Sequence, residues 1–409
     1  MGLVLAPKAS AQTCGFGAGG TITGIVNTYY PGVSVNTART QVTVDTANRF
    51  PAGNPAIVAG DMLLIVQMQD AQIDGSNSDA YGSGVAGGAA SGFTSLNNAG
   101  LYEYAVAVTA PNGAGSFTVA GANAAGDGTL LRRYFTTTTP SGTRGQRTFQ
   151  VVRVPQYSSA TLGAALTASA WNGAAGGILA IDVSGTLTLN GATVSVDGLG
   201  FRGGIGRARA GTAGTAATDY RTSVTANPNG MKGEGIAGTP DLAGAGADGY
   251  PNGDMARGAP ATAGGGGTDG NPTANDQNTG GGGGGNWGTG GQGGHGWLND
   301  NNPCPPLTTG SQTGGYGGTG VNDATRLFVG SGAGAGSPAR LPWREPGAPG
   351  RFTTGPAACS GIARGACRRG RTPSPTRRAS SGRDARRCIR SGSCPRASCR
   401  GSCSSARWW

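Results

Sequence analysis

The placement of glycine constrains this chain more than any other feature. From about residue 198 to residue 320 glycine dominates, with unbroken runs at 264–267 and 280–285, and large apolar side chains nearly vanish. Such a segment cannot offset the entropy of ordering by burying side chains in a conventional core. Two physical outcomes remain. One is a flexible linker. The other is a bundle of extended glycine helices, three residues per turn, close enough to bond through N–H···O and Cα–H···O contacts. Strict G-X-Y periodicity is missing, which excludes a collagen triple helix. The glycine is interrupted by turn-like clusters at 250–253, 269–272 and 275–278, and by Trp287, Trp297 and Tyr316. A spacer has no need of tryptophan, so the expectation is an ordered glycine-rich layer, polyglycine-helix-like, packed on a β-domain.

That β-domain is legible upstream. Residues 62–68 form a continuous apolar run, the pattern of a central strand covered on both faces. Tyr102, Tyr104, Val106 and Val108 alternate with less apolar neighbours, as in a half-buried strand. Further short strands are predicted at 21–26, 41–44, 116–119, 130–135 and 148–154, punctuated by Pro-Asn-Gly at 111–113 and Pro-Ser-Gly at 140–142. No segment sustains an i, i+3, i+4 apolar pattern, so the chain reads as all-β, with a sandwich-like N-terminal domain. Next, Leu187, Leu189, Ala192, Val194 and Val196 fall on one face of a segment centred on Asn190-Gly191. Asn-Gly favours a type I′ turn, which predicts a two-residue hairpin. A corner between rungs of a parallel β-solenoid is the competing reading.

Net positive charge and most of the cysteine are concentrated at the end of the chain. The formal net charge is +11, but residues 351–409 hold 14 Arg and one acid, Asp384, whereas residues 1–350 carry 17 basic and 19 acidic groups. Basicity therefore belongs to the tail and is no nucleic-acid footprint for the body. Cys14 and Cys304 are the only cysteines before residue 350, a number that suits one disulfide in an oxidising compartment. Ala9-Ser10-Ala11 fits a signal-peptidase site behind a shortened apolar stretch, which predicts a truncated signal-peptide remnant and a mature start at Gln12. No apolar run is long enough for a transmembrane helix. The expected organisation is a leader at 1–11, a β-sandwich-like domain at 12–160, a hairpin segment at 161–200, a glycine-rich region at 201–335 and a disordered, low-complexity basic tail at 336–409.

Several strings resemble those of secreted bacterial glycine-rich surface proteins. They are residues 60–65, 150–157, 171–173, 198–204 and 233–240, with the glycine-rich run from 264 to 285. The resemblance covers roughly residues 12–335 and implies an envelope or extracellular location, an adhesive or matrix role, and no catalytic residues. The tail departs from it. A glycine-rich reading frame shifted by one base yields alanine and arginine codons, so a frameshift near residues 335–350 is one expected origin; a genuine basic tail is the other.

Catalytic and cofactor chemistry finds little footing. His295 is the only histidine and stands between glycines, which leaves nucleophilic triads and histidine-rich zinc sites without a base or a ligand set. Gly15 to Gly20 matches GxGxxG without the strand and helix a phosphate cradle requires. Oxygen ligands cluster at Asp269, Asn271 and Asp276, a candidate calcium loop, and at Asp70, Asp74, Asn77 and Asp79, which read first as a solvated loop. Calcium is accordingly the one cofactor considered. Tyr81, Trp287, Trp297 and Tyr316 are the candidate binding aromatics. The sequence thus points to a non-enzymatic, secreted structural or adhesive protein whose partners are surface proteins or glycans. A carbohydrate-binding or carbohydrate-active β-protein is the alternative, and a nucleic-acid binder acting through the arginine tail is a third.

Overall fold

A computed structural model describes residues 18–123, 127–206, 219–226, 229–268, 279–295 and 314–337. The leader at residues 1–11, both cysteines of the expected disulfide and the tail beyond residue 337 lie outside the described residues. Among the described residues the structure is all-β. Its one helical turn is a 3-10 turn at Val224–Ala226, and no helix is long and apolar enough to cross a membrane.

The strands in chain order are β1 (Gly20–Ile25), β2 (Thr28–Val35), β3 (Gln41–Val44), β4 (Met62–Gln69), β5 (Ser91–Gly92), β6 (Tyr102–Ala107) and β7 (Ser116–Gly121). They continue with β8 (Thr148–Val154), β9 (Gln156–Tyr157), β10 (Ala160–Thr167), β11 (Asp182–Val183), β12 (Leu187–Thr188) and β13 (Ala259–Pro260). The expected sandwich is instead a closed antiparallel barrel in the order β2-β3-β7-β6-β4-β8. Closure comes from β2, which pairs with β3 through Gly32, Ser34 and Val35 and with β8 through residues Thr28 to Pro31. One strand joining both ends of the sheet removes its two open edges.

Side-chain alternation along the barrel strands feeds two cores. Leu63 and Ile65 of β4, Phe149 and Val151 of β8 and Tyr30 of β2 fill the barrel interior. Their neighbours Leu64, Val66 and Met68, Val152 and Val154, and Tyr29 face outward. That outer face is covered too, by Trp171, Ile236, Tyr250, Val321 and Val329 from beyond the barrel. The continuous apolar run of β4 is thereby accounted for, since both of its faces are buried.

β1 does not join the barrel. It pairs in parallel with β10, and β10 in parallel with β12. Gln156 pairs with Asp182, Ala160 with Leu187 and Leu166 with Val194. These partners are about 27 residues apart, the mark of coils stacked on one another. The Asn-Gly turn forms as expected, with Asn190 at φ 49° and Gly191 at φ 73° and the Ala192 N–H donating to the Leu189 carbonyl. Its flanking strands, however, pair with the preceding coil rather than with each other, so the solenoid-corner reading holds and the hairpin does not. A satellite core of Ile22, Ala160, Leu162, Leu166, Ile181 and Val183 fills the coil.

The glycine-rich segments have no ladder of the usual kind, yet their backbones are heavily bonded to one another. Gly264, Gly265, Gly266 and Gly267 donate in turn to Gly332, Tyr316, Ala256 and Ala335. Successive residues thus address different neighbours, and the fourth returns to the neighbour of the first. The same step of three recurs on both partners. Gly280 and Gly283 donate to Gly294 and Gly291; Gly315 and Gly318 donate to Gly280 and Gly283; Ser331, Gly334 and Ser337 donate to Gly285, Gly282 and Thr279.

Candidate functional site

The first candidate is buried. Lys232, fully enclosed, donates from Nζ to the carbonyls of Tyr220 at 2.7 Å, Ala256 at 2.9 Å and Gly258 at 2.6 Å. Its Nζ also lies 4.5 Å from the centroid of the Tyr81 ring. Burial pushes the ammonium well below the usual lysine range, and Asp254 pulls it back. Three carbonyls for three N–H groups is the geometry of the charged form. Arg257, also buried, lies over the Tyr220 ring at 4.2 Å and the Tyr316 ring at 5.9 Å, and those two rings stack 6.2 Å apart.

Glu234 completes this centre. Its carboxylate accepts from Trp171 Nε1 at 2.9 Å, from Arg202 Nε at 2.8 Å and Nη2 at 3.1 Å, from the Arg202 amide and from the Thr239 hydroxyl. Thr239 and Gly235 in turn receive Gln69 Nε2 of β4. Asp254 accepts from the amides of Asp241, Gly249 and Tyr250, and burial raises its carboxyl to about 6. Each of these charges is taken up by backbone or by a partner side chain, so their evident work is to tie glycine segments to each other and to the barrel.

This centre corrects one expectation. Tyr81 is fully buried and its hydroxyl finds no partner among the described residues, so it presents no binding surface. Its ring lies against the Lys232 ammonium, a cation that the sequence offered no reason to place there. Tyr316 is half-buried against Tyr220. Trp297 and the calcium candidates Asp269, Asn271 and Asp276 lie outside the described residues. The acidic loop after β4 is held by other segments as well as by itself: Asp70 pairs with Arg144 at 3.2 Å, Asp74 accepts from the Ser76 amide, and Asn77 accepts from the Tyr220 and Arg221 amides. Sequence reasoning missed Lys232, Glu234 and Arg257. The available signal was isolation, because Lys232 is one of only two lysines in the chain.

The second candidate is on the surface. Trp287 is 60% exposed and borders a shallow cleft of about 270 Å³ with Tyr102, Asn286, Asp323, Arg326 and Phe328. Arg326 is paired with Asp323 at 3.0 Å and donates to the carbonyls of Asn97 and Ala99, so its charge is balanced and its position fixed in the cleft wall. The glycine segment ends at Val321, whose amide donates to the Asn286 carbonyl, and this bond holds the two sides of the cleft together. An indole face beside fixed polar side chains suits a flat, hydroxyl-rich ligand or an apolar partner side chain. Comparison with protein-family models, curated proteins and solved structures returns no match.

Proposed function

We propose that this chain is a non-catalytic structural or adhesive protein of the bacterial cell surface or extracellular matrix, built on a barrel overlaid by a layer of extended glycine helices. The observation that carries this reading is the step of three in the glycine hydrogen bonds, repeated on both partners of each pair. A helix of three residues per turn offers its N–H groups to three sides in succession, and this is how such helices join into a layer. The charged side chains within it serve the framework, as Lys232 and Glu234 illustrate. Export accords with the Ala9-Ser10-Ala11 site and with the resemblance to secreted glycine-rich proteins.

The test is fractionation of the producing cells with an antibody to the barrel. Recovery at the cell surface or in the matrix, with weaker cell adhesion when the gene is deleted, is the expected outcome. Recovery only in the cytosol overturns the reading. Trp287 favours a second reading, a carbohydrate-binding protein. Retention on cell-wall polysaccharide that is lost in Trp287→Ala supports it, and cleavage of that polysaccharide sinks the non-catalytic reading.

A further inference from the structure

Among the described residues the stacked coils end without a lid. β12 pairs with β10 on one side only, and β1 pairs with β10 on one side only, so the parallel sheet β1-β10-β12 has two open edges. Apart from Asn54 on the Ile25 carbonyl, no described residue outside β10 and the Ser159 carbonyl before it bonds to β1. The two edges differ in character. The β12 side exposes Leu189 at 51%, Val194 at 48% and Val196 at 38%. These belong to the apolar face that the sequence marks out around Asn190-Gly191, and only Leu187 and Ala192 of that face pack against the coil interior. Stacked-coil proteins ordinarily close such an end with a polar capping coil.

The register shows what fits there. Thr21, Thr161 and Thr188 form one column across the three rungs, and Gly20, Ala160 and Leu187 another. Ile22 and Leu162 pair next along and are buried; Leu189 follows Thr188 at the same step on the last rung and is left open. A further parallel strand with the spacing of β1 would extend each column in kind. It would lay threonine on Thr188 and isoleucine on Leu189. The free edge of β1 runs in the same direction as the rung it would join.

We propose that the chain assembles head to tail with further copies of itself, the β12 edge of one copy taking the β1 edge of the next as an additional parallel rung. Such a contact is heterologous and leaves a free edge at each end, so it propagates into a filament rather than closing as a dimer. The inference rests on the stacked coils and not on the surface or adhesive reading. An intracellular protein with this sheet would assemble in the same way.

Two edge-blocked variants of the full chain test it. Leu189→Lys with Val194→Lys places charge on one edge. Thr21→Pro blocks the other: the Gly20 N–H points to β10, donating to Ser159, so the Thr21 N–H points outward and its loss breaks no bond within the molecule. Circular dichroism and thermal unfolding establish that each variant folds. Sedimentation should show the unmodified chain growing with concentration to several times the monomer mass, each variant monomeric, and an equimolar mixture reaching about twice the monomer mass, because one intact interface is restored. An unmodified chain that stays monomeric at all concentrations overturns the proposal. So does a Thr21→Pro variant that still dimerises by itself, since that marks a symmetric contact of two β12 edges.

Discussion

The barrel and the glycine-rich segments solve the same problem with opposite materials. In the barrel, residues alternate between two faces, and both faces carry side chains: Leu63 and Ile65 inward, Leu64 and Val66 outward. Its cohesion is the burial of apolar surface, about 25 cal/mol per Å². In the glycine segments the period is three, and no side chain separates one backbone from the next. Gly264, Gly265 and Gly266 face the carbonyls of Gly282, Arg257 and Gly230 so closely that a Cβ on any of them would overlap the oxygen. Hydrogen on Cα is thus itself a packing group, in the position of a weak Cα–H···O donor. Among the described residues none of the glycines in 264–267, 280–285 and 314–318 has φ in the left-handed region. Glycine is needed there for its size and not for its conformational range. The lesson is that removing atoms damages the barrel, whereas adding them damages the glycine segments.

The sharpest way to break that comparison is a pair of alanine substitutions. Leu63→Ala deletes a fully buried side chain in the barrel and should lower stability by about 2–5 kcal/mol. Gly265→Ala adds one methyl group against the Arg257 carbonyl and should lower it by about 3 kcal/mol. Urea denaturation followed by circular dichroism measures both. A Gly265→Ala variant within about 0.5 kcal/mol of the parent would show that these backbones are loosely packed and would end the contrast.

Next in size is the buried cation. Lys232→Met keeps the apolar stem and strips the carbonyls of Tyr220, Ala256 and Gly258 of their shared donor. The Tyr220 and Ala256 carbonyls keep the Gly258 and Gly266 amides as donors, so only the Gly258 carbonyl loses its partner, and the loss should be about 1–3 kcal/mol. The same denaturation experiment reads it. A neutral outcome would mean that releasing the ammonium from burial offsets the lost bonds.

How much of this was legible varied with the kind of force involved. Alternation and continuous apolar runs both write themselves into the identity of side chains, so the strands at Met62–Gln69, Tyr102–Ala107 and Thr148–Val154 were found where the sequence placed them. Closure of those strands was not legible, because it depends on β2 pairing at both ends, and that adds no distinctive residue. The Asn190-Gly191 turn was correct and its partner wrong. Local φ preference fixes a turn, but not whether the strands beyond it pair with each other or with an earlier coil. The period of three was partly visible: Thr289, Gln292 and His295 are separated by pairs of glycines, as are Tyr316 and Thr319. All three of the first set are exposed, as expected for an outermost segment. The run at 264–267, buried throughout, conceals the same period, since a segment enclosed on every side has no position free for a side chain. Of the site residues, Trp287 stood out as an aromatic with no core to join, whereas Lys232 and Tyr81 were brought together only by packing.

The pH response isolates one buried carboxyl among the glycine segments. Asp254, set among the glycine segments, has its carboxyl raised by burial to about 6, against about 3.9 when unfolded. Between those values the folded chain binds the proton more tightly. Its contribution is therefore full below about pH 4 and is lost as pH rises through about 6, a change of roughly 3 kcal/mol. Asp45, Asp127 and Asp323 run the other way, since hydrogen bonds lower their carboxyls and favour the fold at higher pH. The test is consequently a difference. Asp254→Asn should flatten the stability profile between about pH 4 and 6 relative to the parent chain, measured by urea midpoints at several pH values. Parallel profiles would mean that the three amide donors to Asp254 outweigh its burial.

The smallest expected effect is the most discriminating. Gly291 sits in the exposed segment whose neighbours Gly290 and Gly293 donate to Gly318 and Gly315, and a Cβ built on it meets nothing within 4 Å. Its φ is not left-handed, so alanine fits the backbone as it stands. Gly291→Ala should therefore leave stability within about 0.5 kcal/mol of the parent, or raise it slightly by restricting the unfolded chain. Gly290→Ala, one residue away, would strike the Gly283 carbonyl and should be clearly destabilising. If the two variants behave alike, glycine acts here through backbone freedom, and the steric account fails. If they diverge, enclosure alone decides where glycine is required, and a tolerance scan along residues 289–295 should follow the step of three.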